Sequence, residues 1–241
     1  SSVDQLATML QAKNDTEQKT KEFLKNTISD ISHQLKTPLS ALMMYQEIIE
    51  NEPENFETVK EFSLKIGTAL KRMEQLIQSM LKITRGSISF EKSNYSIPNI
   101  INHAISELTT RADNEKKEIV IDGDLEQMLY CDIEWTGEAI GNIIKNALDH
   151  TDTGGKISIS WEQTPAMIRI FITDNGHGIS QEDIHHIFKR FYRSKNTSES
   201  QGIGLGLPLA KAIVEGQGGI LSVQSELLQG TTFTLSFLTE S

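Results

Sequence analysis

Asp30-Ile-Ser-His-Gln-Leu-Lys-Thr-Pro-Leu-Ser-Ala-Leu42 sits on a seam of apolar or small residues: Leu24, Ile28, Ile31, Leu35, Pro38, Leu42, Tyr45 and Ile49. The steps alternate four and three, which is the heptad repeat of a long helix packed along one side. Upstream, Leu6, Met9 and Leu10 in the weaker stretch 3–23 can extend the same helix. Downstream, Asn51-Glu-Pro-Glu-Asn55 breaks it, because proline lacks the backbone donor and clashes with the preceding turn. A second seam follows at Val59, Phe62, Ile66, Ala69, Met73, Leu76, Met80 and Ile83, and Arg85-Gly86-Ser87 ends it. The pattern predicts an antiparallel α-helical hairpin over residues 1–86. Each helix also carries apolar residues beside its seam, Leu39, Met43 and Ile48 on the first and Leu70, Ile77 and Leu81 on the second. One hairpin cannot cover them. A homodimer that pairs two hairpins into a four-helix bundle can; the alternative cover is the second domain.

Beyond Gly86 the period changes. Short β-rich runs fall at 87–90, 94–97, 117–122, 128–132, 156–161, 167–173, 219–225 and 231–238, with helical runs at 98–113, 133–149 and 205–216. Interleaved strands and helices predict an α/β domain over residues 87–241, with one sheet under a helical layer. Hairpins such as 156–173 make that sheet mixed.

Composition narrows the partners. The net charge of −10 argues against nucleic acid and against an anionic membrane surface. No apolar run reaches the length of a membrane span. The single cysteine, Cys131, allows no internal disulfide and suits a reducing cytoplasm. The chain opens Ser1-Ser2, without methionine or secretory signal, so the expectation is a cytoplasmic segment of a longer protein with no membrane contact of its own.

His33 lies two positions past Ile31 and two before Leu35, off the seam and toward solvent. Pro38 deletes the helical hydrogen bond to the Gln34 carbonyl and predicts a bend. Thr37 shares the face of His33, and Lys36 can meet an anionic donor. Ser32-His-Gln-Leu-Lys-Thr-Pro-Leu39 resembles the acceptor motif of the two-component sensor histidine kinases, Ser-His-Glu/Asp-x-Arg/Lys-Thr/Asn-Pro-Leu. The resemblance implies that His33 takes the γ-phosphoryl group of ATP as a phosphoramidate, then yields it to an aspartate of a response regulator docked beside it. It implies that Thr37 positions water when such a kinase also dephosphorylates its partner, and that the longer protein is membrane-anchored. Gln34 departs from the motif, which usually has a carboxylate there, resembling a general base. A glutamine carbonyl can accept the ring's other N–H and fix the tautomer, but it cannot take the proton. A general base contributes about 10²–10⁴-fold, so Gln34 bears on rate rather than on reaction type.

Asn142 and Asn146 lie four apart on the helical run, share a face with Asp149, and are flanked by Lys145 and His150. A helix-borne amide oxygen can give Mg2+ one hard ligand while phosphates and water supply the others. Asn142-Ile-Ile-Lys-Asn146 resembles the asparagine box of the Bergerat-type ATPases, the group that includes gyrase. That resemblance implies the magnesium-ligand role for Asn146. It sets Asn142 where hydrolytic relatives carry a catalytic glutamate, which points to transfer rather than hydrolysis. His150 resembles the nucleotide's aromatic or histidine neighbour; the plainer reading is a helix-end histidine near the negative dipole end. Asp149 stands where many members carry lysine, and Lys145 can take over that phosphate contact.

Asp174-Asn-Gly-His-Gly178 follows a β-run. Gly176 and Gly178 allow backbone to approach a planar ligand. By resemblance Asp174 accepts the adenine amino hydrogen, although Asp-Asn-Gly alone also reads as a plain turn. His177, between the glycines, reads as an exposed residue. Phe188-Lys-Arg-Phe-Tyr-Arg193 and the polar stretch 194–201 resemble a phenylalanine box and ATP lid, with Phe188 and Phe191 at the hinge and Arg190 and Arg193 reaching phosphates. Gly202-Ile-Gly-Leu-Gly-Leu207 opens the last helix, where Gly202, Gly204, Leu205, Gly206 and Leu207 offer backbone amides and a helix dipole to phosphate. Gly230-Thr-Thr-Phe233 resembles the final box, with Thr232 near adenine. The glycines follow a polar loop rather than a strand, and no Gly-Lys-Ser/Thr occurs, which excludes the Rossmann and Walker patterns. Two rivals to a kinase are a nucleotide-binding scaffold, impaired in transfer or phosphatase-dominant, which Gln34 and Asp149 favour, and a plain ATPase.

Overall fold

The computed structural model describes residues 2–84, 90–194 and 204–239. Arg85-Gly86-Ser87, most of the run 87–90, most of the polar stretch 194–201 and Gly202 lie outside the described residues, as do the side chains of Leu6, Met9, Leu10, Leu24, Met80, Leu81 and Ile83. The chain divides into two compact units, Ser1–Ser89 and Phe90–Ser241.

In the first unit α1 (Ser2–Asn51) and α2 (Phe56–Thr84) form the expected hairpin. The turn is built by its polar residues. Asn55 Oδ1 accepts from the Thr58 backbone N–H at 3.2 Å, which satisfies one open amide of the new helix, and the Asn55 amide and Thr58 hydroxyl both donate to Glu52 at 3.1 Å. α1 runs unbroken through Pro38, the position where a bend is expected. Ile31, Pro38 and Leu76 are buried and the other described seam residues are half-buried. The Tyr45 and Phe62 rings meet at 5.5 Å across the hairpin. Leu39, Met43, Leu70 and Ile77, beside the seams, stay exposed.

The second unit departs from the expectation of one sheet. Its main sheet has the order β2 (Glu118–Asp122), β4 (Lys156–Gln163), β5 (Met167–Asp174), β7 (Gly230–Leu238) and β6 (Ile220–Glu226). β2 and β4 run parallel and the other pairs antiparallel. β1 (Ser93–Ser96) and β3 (Met128–Cys131) pair only with each other, antiparallel. Both are four residues long and lead almost directly into helices, α3 (Ile97–Ile105) and α5 (Ile133–His150). They tie two helix starts together instead of widening the sheet. The helix expected over 98–113 is two, α3 and α4 (Thr109–Asn114). At the break Ser106 Oγ donates to the His103 carbonyl at 3.0 Å, a side-chain bond that competes with helix continuation. α6 (Gln181–Ile184) is a short helix that the sequence reading passed over, and α7 is Gly206–Gly216.

The core lies between the sheet and its helices. Ile157, Ile159, Ile168, Ile170, Ile172, Phe233, Leu235 and Phe237 alternate along the central strands and are buried, as a sheet with one covered face requires. They meet Ile140, Ile143, Ile144, Ala147 and Leu148 of α5 and Ile213 and Val214 of α7, all buried.

Candidate functional site

α5 presents the asparagines. Asp132 caps its start by accepting the Trp135 N–H at 3.1 Å. The buried stripe of the helix faces the sheet, which leaves Asn142 and Asn146 half-buried on its flank. Asn142 Nδ2 donates to the Glu138 carbonyl at 2.9 Å and to Glu138 Oε1 at 3.0 Å. With the amide hydrogens engaged one turn back, the amide oxygen is turned the other way. A Cβ on Gly206 would lie 3.1 Å from that oxygen, so the glycine start of α7 abuts the asparagine face. The structure thus brings two of the motifs together.

A third joins them at the end of β5. Asp174 is buried, and its Oδ1 accepts the Gly176 N–H at 2.9 Å. A Cβ on Gly176 would come 2.1 Å from the His150 carbonyl, and one on Gly230 would come 2.0 Å from the Asp174 carbonyl. Neither position has room for any other residue. His177 N–H donates to the His150 carbonyl at 3.1 Å. The turn is therefore knitted to the end of α5 on one side and to the β6–β7 hairpin on the other. Thr232 shares this end, its hydroxyl 3.0 Å from that of Thr173. Gly178 has φ +69. His177 is exposed and pairs with Asp152 at 3.1 Å.

Burial pushes the Asp174 carboxyl above its ordinary range, against the pull of the Gly176 and Thr231 backbone groups. An amino-group donor that entered here would offset that desolvation. Burial likewise lowers the His150 imidazole; Asp149 opposes this, while His177 and Arg193 reinforce it. His150 is therefore a neutral ring at pH 7, suited to stacking rather than to charge.

Asp149 is tied into an ion-pair network. Arg111 of α4 holds its carboxylate at 2.6 Å, and the same guanidinium holds Glu115 at 2.6 Å. Lys117, nearly buried, completes the network with Glu115 at 2.5 Å and the Leu148 carbonyl at 2.7 Å. These partners tie Asp149 at the end of α5 to α4. Arg111, thirty-eight residues away in sequence, carried no local signal. Glu138 was readable in principle as a polar residue one turn before Asn142.

The glycine loop is described from Gly204, with φ +77; its carbonyl accepts the Phe191 N–H at 2.8 Å, and Phe191 itself has φ +60. Leu205 is buried, while Leu207 and Arg190 are half-buried and Lys145 and Arg193 exposed. Phe188 packs edge-on against Phe233 at 6.4 Å, with the Lys211 ammonium over its ring at 4.9 Å. Among the described residues no three His, Cys, Asp or Glu side chains cluster to hold a metal. A cation at the asparagine face would take its remaining oxygens from phosphate and water, a donor set that fits magnesium.

In the first unit His33 and Thr37 are exposed, Gln34 is half-buried, and Pro38 is buried behind them. Ser32 Oγ donates to the Ile28 carbonyl at 2.8 Å, which keeps the hydroxyl on the helix.

Comparison with known proteins adds to this geometry. A model described as the His Kinase A (phospho-acceptor) domain matches residues 23–87, and one described as the histidine kinase-, DNA gyrase B- and HSP90-like ATPase matches residues 131–241. Sensor histidine kinase YvrG of Bacillus subtilis is 29% identical over 243 residues, 98% of this chain and 42% of that protein. Sensor-like histidine kinase SenX3 of Mycobacterium tuberculosis is 29% identical over 214 residues, 87% of this chain and 52% of that protein. The chain spans about half the length of these curated relatives or less. Among solved structures, the mycobacterial sensor histidine kinase MprB superposes with a TM-score of 0.54 at 25% identity, over 61% of this chain and 97% of that one. Histidine kinase ThkA, solved in complex with response regulator protein TrrA, superposes with a TM-score of 0.71 at 19% identity, over 95% of this chain and 66% of that one.

Proposed function

We propose that this chain, a member of the two-component sensor histidine kinase family, moves the γ-phosphoryl group of ATP onto His33 and then passes it to an aspartate of a response regulator. One observation carries the reading. The asparagine face, Gly206 and the Asp174 turn converge in one unit, while the other exposes a histidine in the acceptor motif. Residues 1–86 take the acceptor role and residues 87–241 the nucleotide role. Asp174, with Thr232 beside it, receives the adenine amino group; Gly176 and Gly178 let the base approach; His150 lies along it. Asn146 holds Mg2+, with Asn142 next to it. Arg190, Arg193, Lys145 and the amides from Gly202 to Leu207 meet the phosphates.

In the transfer a ring nitrogen of His33 forms a bond to the γ-phosphorus as the bond to the bridging oxygen of ADP breaks. The proton on the attacking ring then leaves to water, because Gln34 can hold a hydrogen but cannot take one. Such transfer depends mainly on positioning and charge neutralisation. Incubation with γ-labelled ATP tests the reading. Acid-labile label on the protein supports it; released phosphate without label would make the chain an ATPase; binding with neither would make it a scaffold. The scaffold drew half its support from Asp149, and Arg111 accounts for that residue.

Gln34→Glu is expected to speed single-turnover labelling at saturating Mg-ATP, by less than the about 10²–10⁴-fold of a full general base, since water already takes the proton. Nucleotide affinity should stay unchanged. A slower Gln34→Glu protein would give the glutamine a positive role and overturn this account.

The reading includes a homodimer through the hairpin. Its support is the exposure of Leu39, Met43, Leu70 and Ile77 beside seams that are themselves mostly half-buried. Light scattering of the whole chain should give twice its 27.0 kDa, and charged replacements at Leu39 and Leu70 together should shift it toward monomer. A wild-type monomer at micromolar concentration would refute the bundle. Among the described residues no helix is long and apolar enough to cross a membrane. The chain acts at the cytoplasmic side of a longer, membrane-anchored sensor, with ThkA–TrrA as the precedent in fold for a response-regulator partner.

A further inference from the structure

Asp183 stands on α6, outside every motif of the site, yet its side chain is fully engaged. Ser180 caps the short helix by accepting the Asp183 N–H at 3.1 Å, and the Asp183 carbonyl accepts from His186 at 2.7 Å and Ile187 at 3.1 Å. With its backbone satisfied locally, the carboxylate reaches forward. Oδ1 accepts the Tyr192 hydroxyl hydrogen, and Oδ2 accepts that of Ser194 at 2.7 Å. These are the residues on either side of Arg193. Both hydroxyls hold the Asp183 carboxyl below its ordinary range, Tyr192 foremost, and the same bond raises the Tyr192 phenol. Donor and acceptor therefore keep their roles across neutral pH.

The geometry points to Asp183 as the positioning residue of Arg193: one carboxylate grips both neighbours of the arginine and so presents its guanidinium to the phosphates of the bound nucleotide. Residues 192–194 lie outside any helix. They lie outside any strand too, so the grip on Tyr192 and Ser194, and not secondary structure, fixes the backbone that carries Arg193. Arg193 lies within electrostatic reach of the end of α5: behind burial and His177, its charge is a lesser cause that lowers the His150 imidazole. The chain just before this stretch is fixed as well, because Phe191, at φ +60, donates its N–H to the Gly204 carbonyl at 2.8 Å. His186 packs its ring 5.4 Å from that of Tyr192. An arginine on a free backbone would lose rotamer and chain entropy each time it met a phosphate. Asp183 removes the backbone part of that cost in advance.

The inference rests on the nucleotide reading above, and the test separates the two. Affinities of the whole chain for ATP and AMP are measured by calorimetry for Asp183→Asn, Arg193→Ala, their combination, and Tyr192→Phe with Ser194→Ala. Asp183→Asn should weaken ATP binding roughly tenfold, the scale of one charge-assisted hydrogen bond, and leave AMP binding unchanged. The paired hydroxyl removal should match it, while adding Asp183→Asn to Arg193→Ala should change nothing further. Equal losses for ATP and AMP, or additive effects of Asp183 and Arg193, would assign Asp183 a structural role and overturn the clasp while the nucleotide reading stands. If the unaltered chain binds neither nucleotide, both readings fall.

Discussion

His33→Gln protein is expected to bind ATP as the unaltered chain does and to take up no acid-labile label. Glutamine has similar bulk and polarity but no ring nitrogen with a lone pair free to attack phosphorus, so the covalent step is lost and not merely slowed. The position is exposed on α1, and surface replacements away from special contacts change stability by about 0.5 kcal/mol or less. Failure to label can then be read as loss of the acceptor, provided the variant keeps its helical circular dichroism and nucleotide affinity. The measurement is label retained on protein through base and released by acid, the behaviour of a phosphoramidate. Undiminished acid-labile label in His33→Gln would move the acceptor to another side chain and remove the centre of the proposed function. A preformed response regulator complex offers a second readout, since the variant should pass nothing to it.

Where one element dictates its own burial, the sequence was readable. The seams over residues 24–49 and 59–83 repeat at helical spacing, and the hairpin follows from that spacing and from the turn at 51–55. The strands of the main sheet alternate because one face is covered, so their positions shift by only a residue or two. Where the outcome depends on pairing between distant segments, local pattern carries nothing. β1 and β3 look like ordinary strands, and only their lead into α3 and α5 separates them from the main sheet. The break between α3 and α4 turns on one hydroxyl, Ser106, choosing a carbonyl. The site divides the same way. Asn142, Asp174 and Gly206 were visible as motifs because a ligand that needs close backbone and amide oxygens restricts the residue types allowed. Arg111 and Asp183 act on other side chains, and residues elsewhere in a chain can fill such roles equally well; neither leaves a mark in its own neighbourhood. Asp149 is read in the motif by what relatives carry there, and its partner from α4 lies outside that motif.

Asn146→Ala is expected to abolish labelling while leaving the fold intact, and the helix itself supports that separation. Alanine is the better helix former, so replacing asparagine inside α5 favours the helix by a few tenths of a kcal/mol. Loss of activity therefore cannot be put down to unfolding of the element. What disappears is the amide oxygen next along the face from Asn142, whose own amide hydrogens are bound to Glu138 and which the Gly206 start of α7 abuts. Without that oxygen the protein's hold on magnesium weakens, and the charge on the leaving and transferring phosphates is less well met. Removal of one preorganised electrostatic contact costs about 10²–10³-fold in rate, and the loss here should be at least of that order. Asn146→Asp tests the geometry from the other side. It keeps an oxygen in place but adds a negative charge beside the triphosphate, so it should also label poorly, and raised magnesium should restore it more than it restores Asn146→Ala. Both variants should keep the thermal midpoint of the unaltered chain within a few degrees, in line with small stability changes at a half-buried helix position. Labelling near the wild-type rate in Asn146→Ala, at every magnesium concentration tried, would place the metal ligand elsewhere and detach the asparagine face from the chemistry.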